Sequence, residues 1–328
     1  MESTKLSLPV SLPPLGIGTW SWGDRLFWGY GSDYGEQEVE QAFKAALDNG
    51  ATFFDTAEIY GLGESERLIG RFLKQSTAKR SIPRGHQIND RQVQIATKYF
   101  PLPWRFNSQA VADALSDSLK RLQVEQVDLY QVHMPISFFM GQHTLMEALA
   151  SEVKRGRILS VGVSNYSATQ MQQAHDLLAK YDVPLAVNQV HYSLLTRKIE
   201  QNGILELARE LGITILAYSP LDRGLLTGKY TPDNTEIVQG ARKLDPKFSA
   251  SGLSKIEPVI SKLKQLGEKY QKSPVQVALN WLVVRENVIP IPGAKNPRQA
   301  AENAGAIGWE LSTEDAEELG SIALNCSN

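Results

Sequence analysis

Apolar positions in this chain switch repeatedly between helical and extended spacing, and the switching predicts alternating helices and strands. In EQEVEQAFKAALDNG, from Glu36, residues Val39, Phe43, Ala46 and Leu47 share one helical face and Gly50 ends the stretch. The strand ATFFDT follows directly. The unit recurs as helix ESERLIGRFLK with strand VQIATK, helix SQAVADALSDSLKRLQ with strand VDLYQVH, and helix HTLMEALASEVKRG with strand ILSVGVSN. Then come helix SATQMQQAHDLLAKY, strand LAVNQV, helix GILELARELG, strand TILAYSPL, helix SPVQVALNWLV, strand VIPIPGA and helix NPRQAAENAG. Ser108 reads as an N-cap, its hydroxyl able to accept from the first unpaired helical amides.

With LGIGTW near Leu15 as the first strand, the count reaches eight. Alternation without consecutive hairpins predicts a parallel sheet, and eight repeats predict closure into a (β/α)8 TIM barrel, with residues 1–328 as one domain. KLSLPVSLPP, residues 5–14, alternates polar and apolar positions and is expected to form a small hairpin under the barrel. Residues 76–92, 134–142 and 222–253 break the repeat and read as loops. The last follows a strand at the carboxyl-end face and is either a lid or a solvated insertion.

Composition narrows the partners. Hydrophobic residues at 42% and charged residues at 21% suit a packed core. Lys and Arg number 34 against 36 Asp and Glu, a net charge of -2, so there is no basic excess to meet a nucleic acid. No apolar run approaches the roughly 18 residues of a membrane span, and MESTKLSLPVSLPPLG lacks a signal-peptide core. The expectation is a monomer without membrane contact, cytoplasmic, or in the plastid stroma if a transit peptide has been removed. Cys326 is the only cysteine, and His86, His133, His143, His175 and His191 lack metal-ligand spacing, so no metal is expected.

Two nucleotide motifs fail. GIGTWS and GLGESE have Ser21 and Glu66 where the third glycine of a dinucleotide fingerprint belongs, and GLLTGKY is one residue short of a phosphate loop. What remains is a set of ionisable residues at strand ends: Asp55 and Tyr60, Lys98, Tyr130 and His133. Parallel barrels carry their chemistry at that end. A phenol with a pKa near ~10 is a poor acid at neutral pH, and an adjacent ammonium lowers it. Lys98 is the natural partner for Tyr60. A buried lysine in turn needs a carboxylate to stay charged, which Asp55 can supply, and His133 can orient a carbonyl.

DTAEIYGLGESERLIG, IATKYF, DLYQVHMP, VGVSNY, NQVHYSLL, AYSPL and IPGAKNPRQAAEN resemble, in order, segments of the aldo-keto reductase family, from about Leu15 to Trp309. GTWSWGD, LPWRF and NVIPIPGAKN are most similar to the NADP-dependent members of cyanobacteria and plant plastids. The resemblance implies NADPH-dependent reduction of small aldehydes and ketones, with Asp55, Tyr60, Lys98 and His133 as catalytic residues and Tyr60 as proton donor. It implies that Ser164, Asn165 and Gln189 hold the nicotinamide carboxamide and that Tyr218 stacks on its ring. Ser219, Pro220, Leu221, Gly224 and Leu225 would form the pyrophosphate loop. Lys295 and Gln299 would meet the adenosine 2′-phosphate, and Glu302 and Asn303 the adenine. Gly18, Thr19, Trp20, Asp55, Gly293 and Ala294 complete the implied cofactor site.

Trp20, Tyr60, Trp104 and His133 are the expected substrate contacts, with Trp22, Tyr99 and Met134 as further wall. The chain departs from some members at Gln299, where those have a second basic residue, and Arg298 is a candidate replacement. A cofactor-sensing protein with little turnover, and a dehydrogenase working in the oxidising direction, stay open as alternatives.

Overall fold

The predicted apolar runs become strands buried on both faces, as a parallel sheet sheathed in helices requires. The computed structural model describes residues 11–78, 87–88, 91–238 and 240–327. In chain order these hold β1 (Gly16–Gly18), α1 (Glu36–Asp48), β2 (Phe53–Asp55), α2 (Glu64–Ala78), β3 (Gln87–Ile88), β4 (Arg91–Gln92), β5 (Gln94–Tyr99), α3 (Ser108–Leu122) and β6 (Val127–Val132). There follow α4 (Gln142–Lys154), β7 (Ile158–Ser164), α5 (Ala168–Ala179), β8 (Leu185–His191), α6 (Ile204–Leu211), β9 (Thr214–Tyr218), α7 (Ala250–Tyr270), α8 (Pro274–Val283), β10 (Val288–Ile291), α9 (Pro297–Ala304) and α10 (Thr313–Ser327).

Strands β1, β2, β5, β6, β7, β8, β9 and β10 form one parallel sheet in that order, and a bridge between Gly18 and Gly293 joins its two ends. The result is the expected (β/α)8 barrel. Gly18 is needed there, since a Cβ would stand 2.9 Å from the Ile291 carbonyl oxygen.

The period-two rule of strands positions the site. Phe53, Ala96, Leu129, Val187, Leu216 and Ile291 form a separate apolar cluster inside the barrel. Phe54, Ile95, Tyr130, Val161 and Ile215 alternate with them and join the larger core under the helices. Two residues beyond Phe53, Ala96, Leu129 and Val187 on the same strand faces stand Asp55, Lys98, Gln131 and Gln189. The barrel interior therefore turns from apolar to polar within one residue pair.

Several expectations need correction. Asn107, not Ser108, caps α3, its side-chain oxygen accepting from the Ala110 amide at 3.1 Å. Segment 76–92 is not wholly loop, because α2 runs to Ala78 and β3 pairs antiparallel with β4. Segment 222–253 contains four 3-10 turns and the start of α7.

Helix α7 escaped the pattern reading because Gly252, Pro258 and Gly267 obscure a helical apolar face that includes Leu253, Ile256, Ile260, Leu263 and Leu266. It packs against α8 and α10, and α10 was likewise not foreseen. The hairpin expected at 5–14 falls mostly outside the described residues, and Ser11–Pro14 form no strand.

Helices α2 and α3 meet at Gly70, where a Cβ would lie 2.6 Å from the Arg121 carbonyl oxygen and 2.7 Å from that of Leu122. Backbone cannot swing aside as a flexible side chain can. Gly70→Ala should therefore cost ~1–3 kcal/mol of stability, read as a lower denaturant midpoint at unchanged slope. An unchanged midpoint would show that the helices part without penalty.

Candidate active site

The polar layer at the barrel mouth is built on a buried ion pair. Lys98 is fully buried and Asp55 is 2% exposed. The Lys98 Nζ donates to Asp55 Oδ2 at 2.5 Å, to the Thr56 carbonyl at 2.8 Å and to the Tyr60 hydroxyl at 3.4 Å. Asp55 Oδ1 accepts from Gln131 Nε2 at 2.9 Å and Gln189 Nε2 at 2.8 Å, and Gln189 Nε2 also donates to Gln131 Oε1 at 3.1 Å. Both carboxylate oxygens are thus satisfied without water.

Tyr60 enters a 3-10 turn, Tyr60–Gly63, just beyond β2. Gly61 has φ 55°, and a Cβ there would lie 2.6 Å from the Gly23 backbone, so this turn demands glycine and is pressed onto the loop after β1. Trp20 from that loop lies 6.3 Å from the Tyr60 ring, centroid to centroid, and the His133 ring meets Tyr60 edge-on at 5.6 Å.

Burial sets the charge states. Desolvation raises the Tyr60 phenol above its ordinary value, with Lys98 pulling the other way. This corrects the expectation that the ammonium would win outright. Burial pushes the Lys98 ammonium down, but Asp55 and then Tyr60 hold it above its ordinary value. His133 is brought down to about 3 by burial and by Lys98, so its ring is neutral near pH 7. Its buried Nδ1 has no partner among the described residues.

Tyr60 and His133 open into a cleft of about 860 Å³. Next to them, Asn165 Nδ2 donates to Ser164 Oγ at 3.0 Å and to the His133 carbonyl at 3.3 Å, while the Tyr218 hydroxyl donates to Asn165 Oδ1 at 3.1 Å. His191 backs Tyr218, the rings stacked at 5.3 Å and 14°. Farther along, Ser219 (φ 49°), Asp222 (φ 47°) and Arg223 (φ 57°) hold left-handed backbone. Ser219, Pro220, Leu221, Arg223 and Gly224 line the cleft, with Asp222 buried behind them. Asp222 is pinned from behind by Ser193 Oγ at 3.0 Å and Thr196 Oγ1 at 2.9 Å.

The far end is formed by Gly293, Lys295, Arg298, Gln299, Glu302 and Asn303. Lys295 Nζ donates to the Trp28 carbonyl at 2.8 Å and lies over the Trp28 and Tyr34 rings. Arg242 faces the same indole at 5.2 Å. Among the described residues neither cation is paired with a carboxylate, and the buried Trp28 Nε1 has no partner.

The cleft thus gathers Gly18, Thr19, Trp20, Asp55, Tyr60, His133, Ser164, Asn165, Gln189, Tyr218, Ser219, Pro220, Leu221 and Gly224. Leu225 and Ala294 are buried behind its wall, and the Ala294 carbonyl accepts from Trp22 Nε1 at 2.7 Å. Trp22 therefore belongs to the core rather than the wall. Tyr99 is buried under Arg105, and Met134 lies outside the lining, its Sδ facing Asn165 Nδ2 at 3.5 Å.

Trp104 also lies outside the lining and is 67% exposed. Its neighbour Arg105 is the one drawn inward, donating to both oxygens of Glu58 at 2.5 and 2.9 Å. Phe27, Trp28, Ile59, Arg223 and Arg242 line the cleft without having been foreseen. They sit on loops with no periodicity. Gln131 was legible only as the third inward position of its strand.

Fold and site together define a (β/α)8-barrel enzyme with its ionisable groups at the carboxyl ends of the strands. The chain belongs to the Aldo/keto reductase family, whose sequence model matches residues 14–323. It is 38% identical over 317 residues to the chloroplastic pyridoxal reductase of Arabidopsis thaliana, covering 95% of this chain and 83% of the relative. It is 33% identical over 335 residues to the aldo-keto reductase YhdN of Bacillus subtilis, covering 99% and 94%. Among solved structures, the glycerol dehydrogenase of Gluconobacter oxydans superposes with a TM-score of 0.81 at 30% identity, covering 100% of this chain and 98% of that one. A Klebsiella pneumoniae aldo/keto reductase solved with NADP and acetate gives 0.68 at 25%, covering 95% and 91%.

The depressed His133 value has a measurable sign. The ring binds a proton more weakly folded than unfolded, so its neutral form favours the fold above about pH 6.5 and that stability is lost as pH falls toward about 3. NMR of the imidazole nitrogens should show no protonation of His133 between about pH 8 and about pH 4.5. A midpoint near the ordinary histidine value would contradict the burial argument.

Proposed function

We propose that this chain reduces aldehydes and ketones to alcohols with NADPH, Tyr60 giving the proton. One observation carries the reading: a buried carboxylate, an ammonium and a phenol are linked at 2.5 and 3.4 Å, and the phenol opens into a long cleft beside a neutral imidazole.

The cleft residues fit a phosphorylated dinucleotide. Ser164, Asn165 and Gln189 would hold the carboxamide, and Tyr218 would stack on the nicotinamide. The left-handed backbone at Ser219 and at Asp222, Arg223 and Gly224 suits a pyrophosphate, because such turns can face N–H groups toward an anion. Lys295, with Gln299 and Arg242 near it, would meet the 2′-phosphate at the start of α9, where helix amides favour an anion. Such a group would satisfy the two cations and the Trp28 N–H, which among the described residues lack carboxylate and hydrogen-bond partners respectively. Glu302 and Asn303 remain for the adenine. The Klebsiella relative solved with NADP supports the same cofactor here.

The hydride for the carbonyl carbon would come from bound NADPH. The protein's own part is proton transfer and positioning. Burial keeps the Tyr60 phenol protonated at rest, so the proton is present at neutral pH. As it passes to the carbonyl oxygen, the phenolate left behind faces Lys98 at 3.4 Å, and Asp55 keeps that ammonium charged. His133 holds the carbonyl oxygen in line by hydrogen bonding, with Trp20 and Ile59 as apolar wall. The likeness to a pyridoxal reductase supports including pyridoxal in a panel with 4-nitrobenzaldehyde and methylglyoxal.

Tyr60→Phe removes only the hydroxyl. Turnover across that panel should fall by roughly 10²–10⁴-fold while NADPH still quenches intrinsic fluorescence at near-normal concentration. Retained turnover would remove Tyr60 from the proposed role.

Lys295 gives a test of the phosphate end. Burial, then Arg242, bring its ammonium down to about 8, opposed by Asp33 and Asp24. A phosphate favours the charged form, so NADPH affinity should weaken as pH rises above about 8, whereas NADH affinity should not. Lys295→Ala should remove that pH dependence together with most of the preference for NADPH. Equal pH profiles for the two nucleotides in the unaltered protein would mean that Lys295 does not meet the phosphate.

A further inference from the structure

Gln131 is fully buried on β6, outside the cleft lining, and has no part in the chemistry proposed above. Its amide nevertheless joins two working residues. Nε2 donates to Asp55 Oδ1 at 2.9 Å, and Oε1 accepts from Gln189 Nε2 at 3.1 Å, while Gln189 Nε2 also donates to Asp55 Oδ1 at 2.8 Å.

The direction of this three-membered network follows from one charge. An ionised carboxylate accepts and never donates, so each glutamine must turn its NH2 group toward Asp55. Gln131 is thereby fixed with its oxygen available, and that oxygen takes the second N–H of Gln189. Both hydrogens of the Gln189 amide are then committed behind the cleft wall. Its Oε1 is left as an acceptor on a residue that lines the cleft.

We propose that Gln131 is a positioning residue that locks the Gln189 amide in one orientation, so that the cofactor meets an acceptor there and never a donor. The inference rests on the reading of the cleft as an NADPH site. Asp55 alone would hold one N–H of Gln189 and leave the amide plane free to turn, offering the second N–H to the cleft. Gln131 removes that freedom. The locked acceptor matches the NH2 of a nicotinamide carboxamide and has nothing to accept from a methyl ketone in its place.

The test is a binding measurement, independent of turnover. Purified full-length protein is titrated by fluorescence with NADP+ and with its 3-acetylpyridine analogue, in which a methyl group replaces the carboxamide NH2. The unaltered protein should prefer NADP+ by about fivefold, the worth of one neutral hydrogen bond. Gln131→Met, of similar size but without hydrogen-bonding groups, should reduce the preference to below about twofold. Gln189→Met should do the same, and adding Gln131→Met to it should change nothing further. If Gln131→Met does not fold, Gln131→Asn, shorter by one methylene, breaks the same two contacts and is read identically. An unchanged preference in a folded variant overturns the inference alone. Failure of the unaltered protein to bind either dinucleotide overturns the reading of the cleft, and this inference with it.

Discussion

The Lys98–Asp55 pair is the interaction on which the rest of the mouth depends. An ammonium and a carboxylate with almost no exposure are stable inside a protein only when every polar atom they carry is met. Here the lysine has Asp55, the Thr56 carbonyl and Tyr60, and the aspartate has Lys98, Gln131 and Gln189. Losing one partner of such a pair typically costs about 3–5 kcal/mol, because the other charge is stranded. The pair constrains four strands at once, since its members and their donors come from β2, β5, β6 and β8.

That constraint explains why the barrel interior has two layers. The apolar layer of Phe53, Ala96, Leu129 and Val187 closes the barrel below the ion pair, and strand periodicity places the polar residues on the same faces. Rigidity below serves chemistry above. Tyr60 rides on a turn held against the Gly23 backbone, so the phenol stays near the ammonium. The same burial that holds the lysine in place raises the phenol and neutralises His133, giving a resting state with a proton on Tyr60 and none to spare on the imidazole.

How much of this was legible in the sequence depends on which physical signal carried it. The eight strands and the helices between them announced themselves through spacing, and Asp55, Tyr60, Lys98 and His133 through their place at strand ends. Helix α7 did not, because Gly252, Pro258 and Gly267 lower local helix propensity while packing against α8 and α10 decides the outcome. Loop residues such as Trp28 and Arg242 carry no period, so only the folded chain brings them beside Lys295. Trp22 and Trp104 were misplaced for a related reason. An aromatic after a strand end can turn to the core, the cleft or solvent, and its neighbours settle which.

The net shift of Tyr60 was also beyond the sequence, since it is a contest between desolvation and Lys98 that only the folded geometry decides. On the proposed reading, the buried ammonium stabilises the phenolate formed as Tyr60 gives up its proton. The most direct test is the single-turnover rate of NADPH oxidation by Lys98→Met, preloaded with NADPH and mixed with 4-nitrobenzaldehyde, beside the unaltered protein. The rate should be lower by roughly 10²–10⁴-fold with NADPH affinity within a few-fold. A rate within about threefold of the unaltered protein, in a folded variant that binds NADPH, would contradict that reading.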